Sequence, residues 1–242
     1  NRYNCHMPLP KDDIVVVASS SSSSSTDAAA AAAALKKKTE RTAFHWFLVG
    51  ESGARITGCG APTPQKVEAP LVATMGATAV ITLLGSDERA EDVAKIQSTC
   101  ERLGIVWRHI PLSGANITDT DVLSLKNGIP EVVALLSEGH SVVVHCAAGM
   151  HRTGITLYTS LRLFGLDPTE AVAAIQSIRL VTHEELLKSR KKIGMPLVSK
   201  AEEVIGTVFP SVVSSAASPA ASVSVVAPSA LGVVEGSSHS SS

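Results

Sequence analysis

Apolar and polar positions follow two periods through the middle of this chain, and the two ends follow neither. Residues 45–49 and 55–57 read as short strands joined by Gly50-Glu51-Ser52-Gly53, a hairpin-like turn. The run Gly58-Cys59-Gly60-Ala61-Pro62 is expected to break the second strand. Residues 65–75 fit a helix, with Gly76 where a C-terminal glycine cap belongs. The β-branched run TAVITLL at 78–84 predicts a buried strand. Residues 86–103 read as the clearest amphipathic helix: Ser86 is the N-cap, Asp87, Glu88 and Glu91 sit near the positive end of the dipole, and Gly104 follows. Its apolar face is Val93, Ile96, Cys100 and Leu103. Residues 105–110 predict a further strand, stopped by Pro111.

Residues 113–140 read as a loop and then a helical region, interrupted at Asn127-Gly128-Ile129-Pro130 and resuming over 131–137. A strand at 141–144 leads through a turn of small residues into a helix over 153–164, closed by Gly165. Asp167-Pro168-Thr169-Glu170 carries an N-cap acid, a first-turn proline and an acid three residues on, which starts a helix running to Arg179. Another helix is expected over 183–193. Alternating strands and helices imply an α/β fold: a central, mostly parallel sheet flanked by helices, with the loop at 145–152 between a buried strand and a helix at the sheet's carboxyl edge.

The ends differ in kind. Residues 1–40 hold a serine run at 19–25, an alanine run at 28–34 and the cluster Lys36-Lys37-Lys38, read as a solvated linker. From about Val208 the chain turns to Ser, Ala, Val and Pro without a period. Both ends lack the means to bury apolar area and are expected to be disordered. The division expected is a low-complexity segment over 1–40, a folded domain over 41–206 and a Ser/Ala/Val-rich tail over 207–242. The chain begins on Asn1 rather than Met, as a fragment or processed form does.

Formal net charge is −1, which gives no argument for nucleic acid or an anionic membrane surface as partner. No run is long and apolar enough to span a bilayer. The apolar patch at 14–18 is too short for a signal peptide and follows Asp12 and Asp13, the wrong charge for one. The four cysteines, Cys5, Cys59, Cys100 and Cys146, lie far apart without metal-type pairing, as expected of a reducing compartment, and a cytoplasmic location follows as the default.

The stretch SVVVHCAAGMHRTG, at 141–154, carries the chemistry. Strand, glycine-containing loop and helix N-terminus in succession form an anion cradle, because backbone N–H groups converge and the helix dipole adds partial positive charge. Such a cradle stabilises a thiolate at its mouth, where Cys146 sits. Arg152, five residues beyond, offers a planar fork suited to a tetrahedral oxyanion. These residues read as a covalent phosphate-transfer site that calls for no metal and no cofactor.

The loop HCAAGMHRTG resembles the signature of the cysteine-dependent protein tyrosine and dual-specificity phosphatases: His, Cys, five residues, Arg, then Ser or Thr. The flanks are more loosely similar to small atypical dual-specificity phosphatases over about 41–195. The resemblance implies that Cys146 attacks phosphorus, Arg152 clamps two non-bridging oxygens, and Thr153 eases departure of the sulfur. It implies a substrate-binding loop of Ala147, Ala148, Gly149, Met150, His151 and Arg152, with Gly149 permitting the excursion that turns its amides inward. His145 orients the loop. His151 reads substrate charge or packs the loop. Cys59 and Cys100 are core residues, or partners for Cys146 under oxidation.

A general acid is harder to place. The family carries an aspartate on a loop after the preceding strand, and the first half of 111–121 has no carboxylate. Asp119 and Asp121 are the candidates, each equally suited to capping the next helix, and Asp119 is taken as the acid; Asn116 is a candidate substrate contact. The implied function is hydrolysis of phosphomonoesters through a phosphocysteine intermediate, with phosphotyrosine or mixed-specificity phosphoproteins as substrates. Two alternatives stand: an inositol phosphate, phosphoinositide or small metabolite as substrate, and a phosphate-binding pseudophosphatase scaffold. The His-Arg-Thr-Gly ending is also similar to a branch acting on inositol pyrophosphates, but that branch has basic loop residues where this chain has Ala147, Ala148 and Met150.

Overall fold

The structure is a computed structural model, and it describes residues 33–35, 43, 45–62, 76–114, 116–189 and 195–210. Five strands, β1 (Phe47–Val49), β2 (Ala54–Gly60), β3 (Ala79–Thr82), β4 (Val106–His109) and β5 (Ser141–Cys146), form one sheet in the order β1-β2-β5-β3-β4. β1 is the antiparallel edge, and the remaining pairings are parallel. β5 is therefore central, and all six of its residues are buried, as a strand covered on both faces requires. Six helices complete the described fold: α1 (Ala90–Arg102), α2 (Asp119–Ser137), α3 (His151–Phe164), α4 (Pro168–Ile178), α5 (Leu180–Leu187) and α6 (Leu197–Val208). This is the α/β architecture expected, a mostly parallel sheet between helices.

The side-chain period of two along β5 separates two cores. Val142, Val144 and Cys146 face the larger one, which Ile129, Val132, Ile155, Tyr158, Ile175 and Ile205 fill from α2, α3, α4 and α6. Val143 faces the smaller, with Val80, Cys59, Ile96, Cys100 and Trp107. Cys59 and Cys100 thus lie on the opposite sheet face from Cys146, both as packed core residues. Burial pushes the Cys100 thiol up to about 11, with Glu101 adding to it.

Several local expectations are corrected. β2 runs on through Gly58, Cys59 and Gly60, because the ladder to β5 extends to the pair Gly60–Cys146. The glycines that read as breakers are demanded by packing: a Cβ on Gly58 would lie 2.7 Å from Thr153 Cγ2 and 2.8 Å from Leu157 Cδ1. α1 starts at Ala90 rather than Ser86; Arg89, left-handed at φ 55°, precedes it, and Glu88 N–H closes a turn onto Gly85 O at 3.0 Å. α2 is continuous through Pro130. The carbonyl that the proline leaves without a donor belongs to Lys126, which is exposed as Pro130 is, so water can take it, while burial of Leu125, Ile129, Val132 and Leu136 offsets the missing bond. α5 begins at Leu180 and ends at Leu187, not 183–193; part of that expected helix, 190–193, lies outside the described residues. The helix expected over 65–75 and nearly all of both low-complexity ends lie outside them too. α6 was not anticipated, although Leu197, Ala201, Val204, Ile205 and Val208 have its spacing. Glu202 fastens α6 to α3, accepting from Arg162 Nε at 2.9 Å and Tyr158 OH at 2.5 Å.

Gly165, at φ 116°, closes α3 as expected, and Asp167 with Glu170 forms the full capping box of α4. No helix among the described residues is long and apolar enough to cross a membrane.

Candidate active site

β5 delivers Cys146 to the sheet's carboxyl edge, and residues 147–150 join it to α3. The carbonyls of this loop are held outward. Ala61 N–H donates to Ala147 O at 3.2 Å, and Gly154 N–H to Met150 O at 2.9 Å. Arg179 Nη1 donates to Ala148 O at 3.1 Å and also to Gly149 O. Thr182 Oγ1 donates to Gly149 O at 2.7 Å. In a planar trans peptide each carbonyl and the following N–H point opposite ways. The amides of Ala148, Gly149, Met150 and His151 therefore face the loop's interior. One of them is seen to do so: Gly149 N–H reaches Cys146 Sγ at 3.2 Å. Gly149 has φ +67°, and a Cβ there would lie 2.2 Å from the Cys59 carbonyl carbon, so β2 presses directly on the loop.

α3 starts at the end of this loop without a side-chain cap, which leaves its first N–H groups without a side-chain acceptor and the positive end of its dipole at the loop. Arg152, in its first turn, is buried, with its guanidinium within interaction range of the Cys146 thiol. Glu88 takes the Nη1–Nη2 edge as a bidentate pair, Nη2 to Oε1 at 3.0 Å and Nη1 to Oε2. Nη1 is further held by Leu112 O at 3.0 Å and Leu83 O at 3.3 Å. Arg152 holds the Glu88 carboxyl below the ordinary carboxylate range, against the opposing effect of burial. Burial would lower the Arg152 pKa, but Glu88 and Cys146 reverse that, so the guanidinium stays charged.

Thr153 Oγ1 is buried with no hydrogen-bond partner in the structure. His145 is fully buried, and burial pushes its pKa down to about 3, so the ring is neutral. Its Nε2 sits 2.8 Å from Thr82 Oγ1, which in turn accepts from Trp107 Nε1 at 3.0 Å. A neutral, tethered imidazole fits an orienting group better than a proton carrier. His151 Nε2 lies 3.0 Å from Glu185 Oε2. Ala147, Ala148 and Met150 are half-buried and carry no charge.

The two aspartates part company. Asp121 is buried in the capping box of α2, accepting from Ser113 N–H at 2.7 Å, Ser113 Oγ at 2.7 Å, Thr118 N–H at 2.8 Å and Thr118 Oγ1 at 2.9 Å. Burial raises its pKa, but those bonds outweigh it and keep the carboxyl below its ordinary range. Asp119 is exposed on the first turn of α2 and takes no part in that box. Asn116 is exposed on the loop before it.

The model of the tyrosine phosphatase family matches residues 65–212, more than half of the chain and all of the loop just described. The chain belongs to that family. It is a phosphatase of the tyrosine and dual-specificity superfamily, and so a hydrolase. Among solved structures it is similar to a phosphatase named PTPMT1, at 18% identity over 71% of this chain and 99% of that one, with a TM-score of 0.47. Kinase associated phosphatase, solved with its catalytic-site cysteine replaced, gives 11% identity, 69% and 96% coverage and a TM-score of 0.46. The catalytic core of SIW14 from S. cerevisiae, described as a PP-IP phosphatase, gives 18%, 58% and 81%, with a TM-score of 0.40. No curated protein matches significantly.

Sequence reasoning missed four residues that pack around this loop: Glu88, Arg179, Thr182 and Glu185. Glu88 lies 64 residues from Arg152, and Arg179 30 from Gly149, so no local spacing announces either.

Proposed function

We propose that this phosphatase hydrolyses phosphomonoesters through a phosphocysteine on Cys146, with phosphotyrosine or mixed-specificity phosphoproteins as its substrates. One observation carries the reading: the Gly149 amide donates to the Cys146 sulfur at 3.2 Å while a charged, anchored Arg152 guanidinium lies within interaction range of the same thiol.

The Cys146 thiolate attacks phosphorus, forming the S–P bond as the bond to the leaving oxygen breaks. Asp119, as general acid, gives that oxygen its proton. The three equatorial oxygens of the transition state are held by the loop amides and by the Arg152 fork, in positions preorganised before reaction. Water then attacks phosphorus and loses its proton to the Asp119 carboxylate. The S–P bond breaks, inorganic phosphate leaves, and the Thr153 hydroxyl donates to the departing sulfur. Ala147, Ala148, Gly149 and Met150 add no cationic side chain to Arg152, and His151 is paired with Glu185, which suits a singly phosphorylated group better than a polyphosphate.

The test is turnover of a chromogenic aryl phosphate by thiol-protected protein in chelator, followed by phosphotyrosine peptide, phosphothreonine peptide and inositol phosphates. Cys146→Ser should abolish turnover, and vanadate should inhibit. Preference for inositol phosphates would shift the substrate class, whereas tight vanadate binding with no turnover of even an activated ester would favour a scaffold.

A further inference from the structure

A cradle whose amides point inward has carbonyls pointing outward into protein, and those carbonyls need donors. For the loop's middle peptides the donors come from α5 and the residue before it. Arg179 is a single extended residue, φ −164° and ψ 114°, between α4 and α5. Its own backbone is tied at both ends, N–H to Ile175 O at 2.9 Å and carbonyl to Thr182 N–H at 3.1 Å. From that fixed post the buried side chain spans Ala148 O and Gly149 O. Thr182, fully buried, adds a second donor to Gly149 O. Glu185, one turn further, holds His151, the first residue of α3. Burial pushes the Glu185 pKa up, but His151 and Lys188 outweigh this, so it is ionised. The same helix packs on the start of α3, where a Cβ on Gly154 would meet Thr182 Cγ2 at 3.3 Å and Leu186 Cδ1 at 3.7 Å.

We infer that Arg179 and Thr182 are positioning residues for the phosphatase reaction: they set the orientation of the Ala148–Gly149 and Gly149–Met150 peptides, and thereby the anion-binding amides of Gly149 and Met150. This rests on the Cys146 reading above. Neither residue touches the reacting atoms. Both act by fixing the carbonyl side of peptides whose N–H side binds the equatorial oxygens, so their effect falls on the transition state more than on folding alone.

The experiment compares Arg179→Met, Arg179→Lys, Thr182→Val and Thr182→Ser with wild type and with Leu187→Ala, an exposed position on the same helix. Readouts are kcat and KM on an aryl phosphate, vanadate inhibition and thermal melting. Arg179→Met should lower kcat/KM by ~10²-fold, the scale of a loop displaced by about 1 Å. Vanadate affinity should fall in parallel, with kcat falling more than KM rises. Arg179→Lys and Thr182→Ser, which keep one donor, should recover part of the loss, and Leu187→Ala should leave kinetics unchanged. Thr182→Val removes one hydrogen bond and gives the same reading if Arg179→Met does not fold. The inference is overturned if Arg179→Met or Thr182→Val melts lower yet, folded, keeps wild-type kcat/KM and vanadate affinity. In that case an active wild type and a dead Cys146→Ser leave the catalytic reading standing; an inactive wild type that binds no vanadate overturns both.

Discussion

Gly149→Ala probes the tightest contact of the cradle. The alanine Cβ would fall 2.2 Å from the Cys59 carbonyl carbon, 2.3 Å from its oxygen and 2.4 Å from Gly60 N. These are backbone atoms of a strand paired to β5 along its whole length, so they cannot swing aside. The loop must retreat by roughly 1 Å to restore ordinary van der Waals contact. An L-residue at φ +67° adds ~1–2 kcal/mol, and forced overpacking ~1–3 kcal/mol. Together the variant should lose about 2–5 kcal/mol of stability, seen as a melting point lower by ~4–20 °C. Retreat also moves the Gly149 amide from the sulfur, so kcat/KM on an aryl phosphate should fall ~10²-fold in protein that is still folded. Circular dichroism melts and steady-state kinetics on the same preparation separate the two effects. A variant melting as wild type and working within about threefold of it would refute the claim that β2 presses the loop into shape.

Three further outcomes follow from the same geometry. Glu88→Gln leaves Arg152 one weak acceptor in place of a bidentate carboxylate, so stability should fall by about 1–3 kcal/mol and kcat/KM by roughly tenfold, by melting and kinetics. His145 has a folded pKa near 3 against an ordinary 6.5, so the unfolded chain binds the extra proton and stability drops as pH falls below 6.5; at pH 5.5 the loss should be ~1.4 kcal/mol. His183, also lowered by burial, acts in the same direction, and the carboxylates of Glu88 and Asp121, held below their ordinary range, extend the loss below pH 4.5. Melts from pH 7 to 5 should therefore slope downward, and a flat profile would contradict a neutral, buried His145. Asp119→Asn should cost ~10²-fold or more on alkyl phosphates and little on an activated aryl ester; equal losses on both would remove Asp119 from the role of acid.

What was legible in the sequence was what is short-range. The capping box at Asp167–Glu170, the glycine that closes α3 and the strand–loop–helix around Cys146 each declare themselves within a few residues, because capping and local dipoles act over one turn. Gly58 and Gly60 misled for a physical reason: a glycine that breaks a strand looks like one that lets Thr153 and Leu157 approach, as at Gly58, or the Ala147–Ala148 backbone, as at Gly60, until the packing is known. Glu88 misled similarly, since an acid just after a predicted N-cap reads as a dipole partner, whereas its strongest neighbour is a guanidinium from another element. The support behind the loop, Arg179 and Thr182, depends on how α5 lies across α3, and no periodicity carries that information.

The most direct measurement is rapid acid quench of the protein during turnover of a phosphotyrosine peptide, followed by mass spectrometry of the peptide carrying Cys146. One phosphoryl group on the Cys146 sulfur, absent in Cys146→Ser and accumulating when Thr153→Ala slows its hydrolysis, is the predicted result. Turnover that continues in Cys146→Ser, or phosphate released at full rate with no phosphorylated Cys146 peptide in either form, would contradict the account.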